Sequence, residues 1–118
     1  MVKQDLIDQL DKIEQLVRKS LPAEYKRFMV ENVRDTDSYE IKRANGGHLY
    51  VFNCFDLLER NITYTIQEVE PEFLLIGQDG DLGYFLNLSR GTDEVYSLEL
   101  GALGSLDMIK ESNTIFML

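Results

Sequence analysis

The sequence predicts an α+β fold in which N-terminal helices pack on a mostly antiparallel β-sheet and a short helix closes the C-terminus. Apolar residues recur at helical spacing through residues 3–32. Residues 73–98 hold three short apolar runs separated by Asp-Gly-Asp and Arg-Gly-Thr-Asp turns, which is typical of an antiparallel meander. The length of 118 residues suits one domain, so we expect residues 1–118 to fold together.

Two amphipathic helices are predicted at the start of the chain. The first spans residues 3–19, and the stripe that should face the core consists of Leu6, Leu10, Ile13 and Val17. Pro22 restarts the chain, because proline at the first helical position loses no helical hydrogen bond. The second helix, residues 22–32, is expected to bury Tyr25, Phe28 and Met29.

Two groups of strands follow the helices. Asn45-Gly46-Gly47 favours a hairpin turn, since Asn and Gly tolerate positive φ, and it joins predicted strands at residues 38–43 and 48–53. Leu49 and Val51 should share one face of this hairpin. The meander strands are predicted at residues 73–77, 84–88 and 94–98. One face of the meander should meet the core, and it carries Tyr84, Leu86 and Leu88.

The connecting segments give weaker patterns. A helical turn is predicted over residues 56–60. The alternation of Ile62, Tyr64 and Ile66 predicts a strand over residues 62–69. A last strand is predicted at residues 106–109. Ser112 is expected to be the N-cap of a short terminal helix that carries Ile115, Phe116 and Leu118.

The chain is strongly acidic. Its 21 Asp and Glu residues against 12 Lys and Arg give a formal net charge of −9, which disfavours nucleic acids and anionic membranes as partners. A body this acidic would instead attract a basic protein. Cys54 is the single cysteine, so no intramolecular disulfide can form, and we expect it to be a small buried hydrophobe. With no signal-peptide pattern and no apolar run of about 18 residues, we expect a cytoplasmic protein.

No catalytic, metal or cofactor motif is recognisable. His48 is the only histidine, and a lone His without a nearby Cys does not indicate a metal site. As a general base it would need a partner that the sequence does not identify. The glycine-rich residues 77–83 lack the Lys and Ser/Thr of a P-loop and the downstream Glu of an EF-hand, so a turn between strands explains them better.

The acidic residues of the second half form the one candidate site. They fall in predicted loops and edges, where carboxylates protect sheets from edge-to-edge pairing, or where they would form a rim that binds a basic protein. Glycoside chemistry is a poorer explanation, because it needs two inward-facing acids in a cleft. The candidate protein-binding residues are Glu68, Glu70, Glu72, Asp79, Asp81, Asp93 and Glu94.

The order of these segments resembles the SUKH superfamily, which includes a yeast cell-wall-synthesis regulator and many small bacterial proteins. Residues 21–29, Leu-Pro-Ala-Glu-Tyr-Lys-Arg-Phe-Met, are similar to its leucine–proline helix start with an aromatic pair. Residues 75–80 and 84–88 resemble its central strands, residues 95–98 the next strand, and residues 109–112 with Phe116 its closing helix. Asn45-Gly46-Gly47 lies farther from the second helix than in the family, through either an insertion or an accidental match.

The resemblance implies an α+β binding domain over residues 20–118 with no shared catalytic residues. Many bacterial members are immunity proteins, which neutralise a cognate toxin, often a nuclease, of a polymorphic or contact-dependent system. We therefore expect a non-enzymatic protein whose partner is a basic toxin domain. The alternatives are a regulator-like scaffold that binds host proteins and a small hydrolase that uses His48 with a nearby carboxylate. Exposed sheet edges would also permit a homodimer.

Overall fold

The computed structural model describes residues 3–118, which form an α+β arrangement of short helices on one six-stranded sheet. The helices are α1 (Lys3–Val17), α2 (Ala23–Phe28), a π-helical turn (Met29–Val33), α3 (Leu57–Thr63) and α4 (Ile66–Val69), with 3-10 turns at Leu100–Ala102 and Ile115–Met117. The strands are β1 (Tyr39–Lys42), β2 (His48–Val51), β3 (Phe73–Asp79), β4 (Leu82–Asn87), β5 (Val95–Glu99) and β6 (Ile109–Ser112). Within these residues, no helix has the length and apolar character needed to cross a membrane.

The sheet is entirely antiparallel, and its strands lie side by side in chain order. In a flat sheet the two edge strands would lie about 24 Å apart, because neighbouring strands are about 4.8 Å apart. Here Arg43, which follows β1, reaches Glu111 in β6 with a 2.9 Å ion pair. The sheet is therefore curled, and we call the concave side its inner face and the convex side its outer face.

The helical predictions for the first third of the chain are confirmed. Helix α1 ends at Val17, two residues earlier than predicted, because Arg18 adopts a φ of 58° that no α-helix continues. The second helix begins after Pro22 and continues into the π-helical turn. The predicted apolar residues of both helices are buried except Val17, which is partly buried: Leu6, Leu10, Ile13, Tyr25, Phe28 and Met29.

The two predicted groups of strands are present as well. The first hairpin closes at Gly46, whose φ is +90°, and Leu49 and Val51 point into the core. Tyr84 and Leu86 of β4 meet the helices on the inner face, as the alternation predicts. The outer face of the meander is buried too, beneath α4 and residues 100–108, in a second apolar cluster formed by Ile66, Leu75, Phe85 and Leu98.

The strand predicted over residues 62–69 is wrong, because this segment contains the end of α3 and all of α4. The reason is the buried side chain of Asn61. Its Oδ1 accepts the N–H of Leu75 at 2.8 Å, and its Nδ2 donates to the C=O of Leu75 at 2.9 Å. One amide side chain thus satisfies the edge of β3 where a neighbouring strand would otherwise pair, and a helix can occupy that place.

The C-terminal boundaries also differ from the prediction. The last strand is Ile109–Ser112 rather than residues 106–109, because Ile109 is the residue that pairs with Ser97 of β5. Ser112 ends this strand, and its hydroxyl donates to the C=O of Thr114 at 2.7 Å instead of capping a helix. The predicted terminal helix is a single 3-10 turn, in which Ile115 is buried and Phe116 packs edge-on against Phe28.

A polar cluster joins the two edges of the curled sheet. Arg43 donates to Glu111 at 2.9 Å and to the hydroxyl of Tyr84 at 3.0 Å, while Ser97 donates to Glu111 at 2.6 Å. Burial raises the pKa of the Glu111 carboxyl, but the hydrogen bonds from Ser97 and Arg43 outweigh it, and the pKa is lowered overall. The folded protein therefore favours the charged form of Glu111.

We predict that Asn61→Ala lowers the free energy of unfolding by about 2–4 kcal/mol, because the buried N–H and C=O of Leu75 lose their partners. Urea denaturation followed by circular dichroism measures this change. Asn113→Ala, at an exposed loop position, is the matched control and should stay within about 0.5 kcal/mol of the wild type. Equal effects of both substitutions would contradict the role given to Asn61.

We also predict an acid-dependent contribution from Glu111. Because its pKa is lowered on folding, its contribution to stability is complete above the ordinary carboxyl pKa of about 4.3 and is lost as the pH falls through the lower folded value. Glu111→Gln should therefore be less stable than the wild type at about pH 6, and the difference should shrink by about pH 3. Urea unfolding at both pH values measures it. A difference that does not change with pH would refute the prediction, and Glu68→Gln is the exposed control.

Candidate acidic binding surface

The seven predicted acidic residues do not form one continuous rim. Because β3 and β4 are antiparallel, the turn that connects them lies at the end of the sheet opposite to the β4–β5 loop. Asp79 and Asp81 lie at the first end, and the others lie at or near the second: Glu68, Glu70, Glu72, Asp93 and Glu94. The structure therefore divides the predicted set into two groups.

Several of these carboxylates accept hydrogen bonds within the chain. Asp93 accepts the backbone N–H of Glu24 at 2.9 Å, at the start of α2. Glu70 accepts the N–H of Gly104 at 2.9 Å and holds the segment that crosses the outer face. Asp79 accepts the N–H of His48 at 3.2 Å. These three acids thus stabilise loops, whatever else they contact.

Of the seven acidic residues, Glu94 is the one held within residues 3–118 by both an ion pair and a hydrogen bond. Its carboxylate lies 2.7 Å from the Lys110 ammonium, and Tyr96 donates to it at 3.0 Å. The hydrogen bond from Lys110 and then that from Tyr96 hold the pKa of Glu94 below its ordinary value. In contrast, Glu68, Glu72 and Asp81 are exposed and form no ion pair within residues 3–118, so they are the members of the set most available to a partner.

A second open surface lies on the first hairpin, and no pattern in the sequence indicated it as a site. Residues directly opposite in the β1–β2–β3 ladders share one face, which places Glu40, Lys42, His48, Tyr50 and Gln78 together on the outer side. We call this set the hairpin face. Unlike the outer side of β3–β5, it is open, since Tyr50 is 43% exposed and Lys42 and His48 are exposed.

An open groove of about 460 Å³ adjoins the hairpin face. We call it the acidic groove. The residues that line it include Asp37, Tyr50, Phe52, Asp56, Glu59 and Arg60. Arg60 is paired with Glu59 at 3.2 Å, so these two charges balance each other. Asp37 and Asp56 form no ion pair with any cation of residues 3–118, and the groove keeps a net negative charge.

Asn53 builds this groove from two distant segments. Its side chain is 5% exposed, and Oδ1 accepts the N–H groups of Phe55 at 2.9 Å and Asp56 at 3.0 Å. Its Nδ2 lies 3.4 Å from the carboxylate of Asp37 and 3.5 Å from the C=O of Thr36. The sequence signal was an Asn three residues before Asp56 at a helix start, which indicates a local turn but not the approach of Asp37.

The hydrolase hypothesis requires a carboxylate next to His48, and Glu40 is in that position. Nδ1 of His48 lies 2.9 Å from Glu40, and that hydrogen bond, followed by one from Tyr50, lowers the pKa of Glu40. Cys54 is buried as predicted, and burial raises the pKa of its thiol to about 11, so it is a protonated, inert side chain. Among residues 3–118, no group of three or more His, Cys, Asp or Glu side chains is arranged to hold a metal ion.

Comparisons with known proteins leave these surfaces to be interpreted from their own geometry. No protein-family model matches the chain, and no curated protein matches its sequence. The resemblance to the SUKH superfamily thus stays a prediction, and what this structure itself shows is an α+β fold with an open hairpin face beside a groove of net negative charge.

Proposed function

We propose that this protein is a non-enzymatic binding module of the immunity type, which acts in the cytoplasm by binding and neutralising a basic toxin domain. The proposal rests on one observation. Most of the 21 acidic residues form no ion pair within residues 3–118, so the net charge of −9 lies on the surface as uncompensated carboxylate. Such a surface raises the association rate with a basic protein and repels nucleic acid.

The distribution of the carboxylates supports a protein partner over a small ligand. They occupy open surface at both ends of the sheet, at Glu40 on the hairpin face and in the adjoining acidic groove. Asp79 connects two of these areas, since it follows Gln78 of the hairpin face and begins the turn that contains Asp81. A partner large enough to cover this end of the sheet would bury uncompensated negative charge against its own positive charge, which favours the correct partner over others.

The first test is a rescue experiment in cells. Candidate toxin C-terminal domains from the same genome are expressed with and without this protein, and growth is measured. We expect one toxin domain to be neutralised and to co-purify with the protein as a stable complex. If the protein restores growth in the presence of none of the toxin domains, the immunity function is contradicted. A lysate pull-down would then test the regulator-like alternative.

A second test measures the electrostatics of the complex with that toxin domain. We predict that Asp81→Lys slows association by about fivefold or more at low salt, and that raising NaCl from about 50 to about 500 mM slows the wild type similarly. Stopped-flow or surface plasmon resonance gives the rate constants. Asp5→Lys on α1 changes the net charge equally and is the matched control. Equal slowing by both variants would mean that only net charge matters, and an unchanged rate in high salt would exclude electrostatic steering.

A further inference from the structure

We propose that the acidic groove binds an arginine side chain that projects from the basic partner protein. The inference deepens the proposed function, because it states which chemical group of the neutralised protein this chain recognises and where. It depends on three features of the groove: the exposed ring of Tyr50, carboxylates without a cationic partner within residues 3–118, and a fixed backbone beneath them.

The aromatic feature is the outer side of β2. Tyr50 is 43% exposed, and Phe52, one of the groove-lining residues, is partly buried. No helix or loop of the described chain covers Tyr50, although α4 and residues 100–108 cover the corresponding side of β3–β5. An exposed aromatic ring beside carboxylates suits a guanidinium, because its planar cation stacks on the ring while its N–H groups remain free to donate.

The carboxylates supply the complementary charge. Asp37 and Asp56 line the groove from two segments and have no cationic partner within residues 3–118. Arg60 also lines the groove, but it is paired with Glu59 at 3.2 Å and lies over the ring of Tyr64 at 5.8 Å. A guanidinium from outside could therefore donate to Asp37 and Asp56 without displacing an existing pair.

The fold itself uses this combination three times, once in Arg60 with Glu59 and Tyr64 and twice elsewhere. Arg27 lies over the ring of Phe116, 4.2 Å from its centroid, and is bound to Glu24 at 2.7 Å. Arg43 lies over the ring of Tyr84 at 5.6 Å and is bound to Glu111 at 2.9 Å. The acidic groove offers the same two components, an aromatic ring and free carboxylates, and the arginine is the component that the chain does not provide.

The backbone of the groove is preorganised. Asn53, which is buried, holds the N–H groups of Phe55 and Asp56 and approaches Asp37, so neither aspartate needs a large rearrangement to bind. A groove of about 460 Å³ lies within the usual range of about 300–1,000 Å³ for small-ligand sites. It is open on one side, as the entry of a side chain from another protein requires.

The test is an NMR titration of the ¹⁵N-labelled full chain with the peptide acetyl-Gly-Arg-Gly-amide and its lysine analogue. We expect saturable shifts of the amides of residues 50–56 with the arginine peptide. Weaker binding of the lysine peptide is expected, because lysine cannot stack or donate in a bidentate manner. The double variant Asp37→Asn/Asp56→Asn should raise the Kd by about tenfold. Asp5→Asn/Asp11→Asn, with the same change of net charge on exposed positions of α1, should bind like the wild type.

Four results would overturn the inference: no shifts, shifts spread over the whole surface, equal weakening by the two double variants, or equal affinity for the arginine and lysine peptides. The rescue experiment separates this failure from that of the proposed function. If the Asp37→Asn/Asp56→Asn protein rescues growth as well as the wild type, the immunity function stands and the groove is not its contact. If the arginine peptide binds as expected but no toxin domain is neutralised, the groove stands and the immunity function fails.

Discussion

The burial of β3 and β4 on both faces is the constraint on which the rest of the structure depends. Leu74 and Ile76 point to the helices, while Leu75 and Phe85 lie beneath α4 and residues 100–108. A strand pair that is apolar on both sides needs two covering layers, and the short segments around the sheet supply them. Strands β2 and β3 also lie close together, since a Cβ at Gly77 of β3 would lie 2.6 Å from the carbonyl oxygen of Tyr50 in β2. Within residues 3–118, the outer side of the first hairpin is left open, with Tyr50 43% exposed.

The way β2 leaves the sheet connects the fold to the candidate site. After the N–H of Phe52 donates to the C=O of Ile76, the chain turns at Asn53 and enters α3. The first residues of β3 therefore have no neighbouring strand on the side where β2 pairs with the later ones. The side-chain amide of Asn61 then hydrogen-bonds both the C=O and the N–H of Leu75. The same departure opens the acidic groove, because the turn at Asn53 places Asp56 opposite the segment that carries Asp37. Two buried asparagines thus shape one edge of the sheet and the groove beside it.

Charge is distributed differently on the inner and outer sides of the curled sheet. On the inner side, Arg43, Tyr84, Ser97 and Glu111 satisfy one another and join the edges. On the hairpin face and in the groove, carboxylates outnumber cations and only part of them is paired. Within residues 3–118, the polar groups that join the edges are therefore bonded to one another apart from the buried Nε of Arg43, whereas carboxylates on the open side keep bonding capacity for another molecule. This difference, rather than net charge alone, is the reason why we propose the hairpin side as a binding surface.

Local patterns in the sequence determined the first two helices, the hairpins and the acidic character. The period of Leu6, Leu10 and Ile13 and the Asn-Gly-Gly turn are short-range signals, and both give the correct element. They also predicted burial of one side of the meander, but the cover on its other side comes from distant segments. The sequence of residues 62–66, with Ile62, Tyr64 and Ile66, is compatible with a strand as well as a helix. The helix forms because the side chain of Asn61 hydrogen-bonds Leu75, 14 residues away. The groove escaped prediction for the same reason. Asp37 and Asp56 belong to separate segments, and only the folded chain, through Asn53, brings their carboxylates to the same groove.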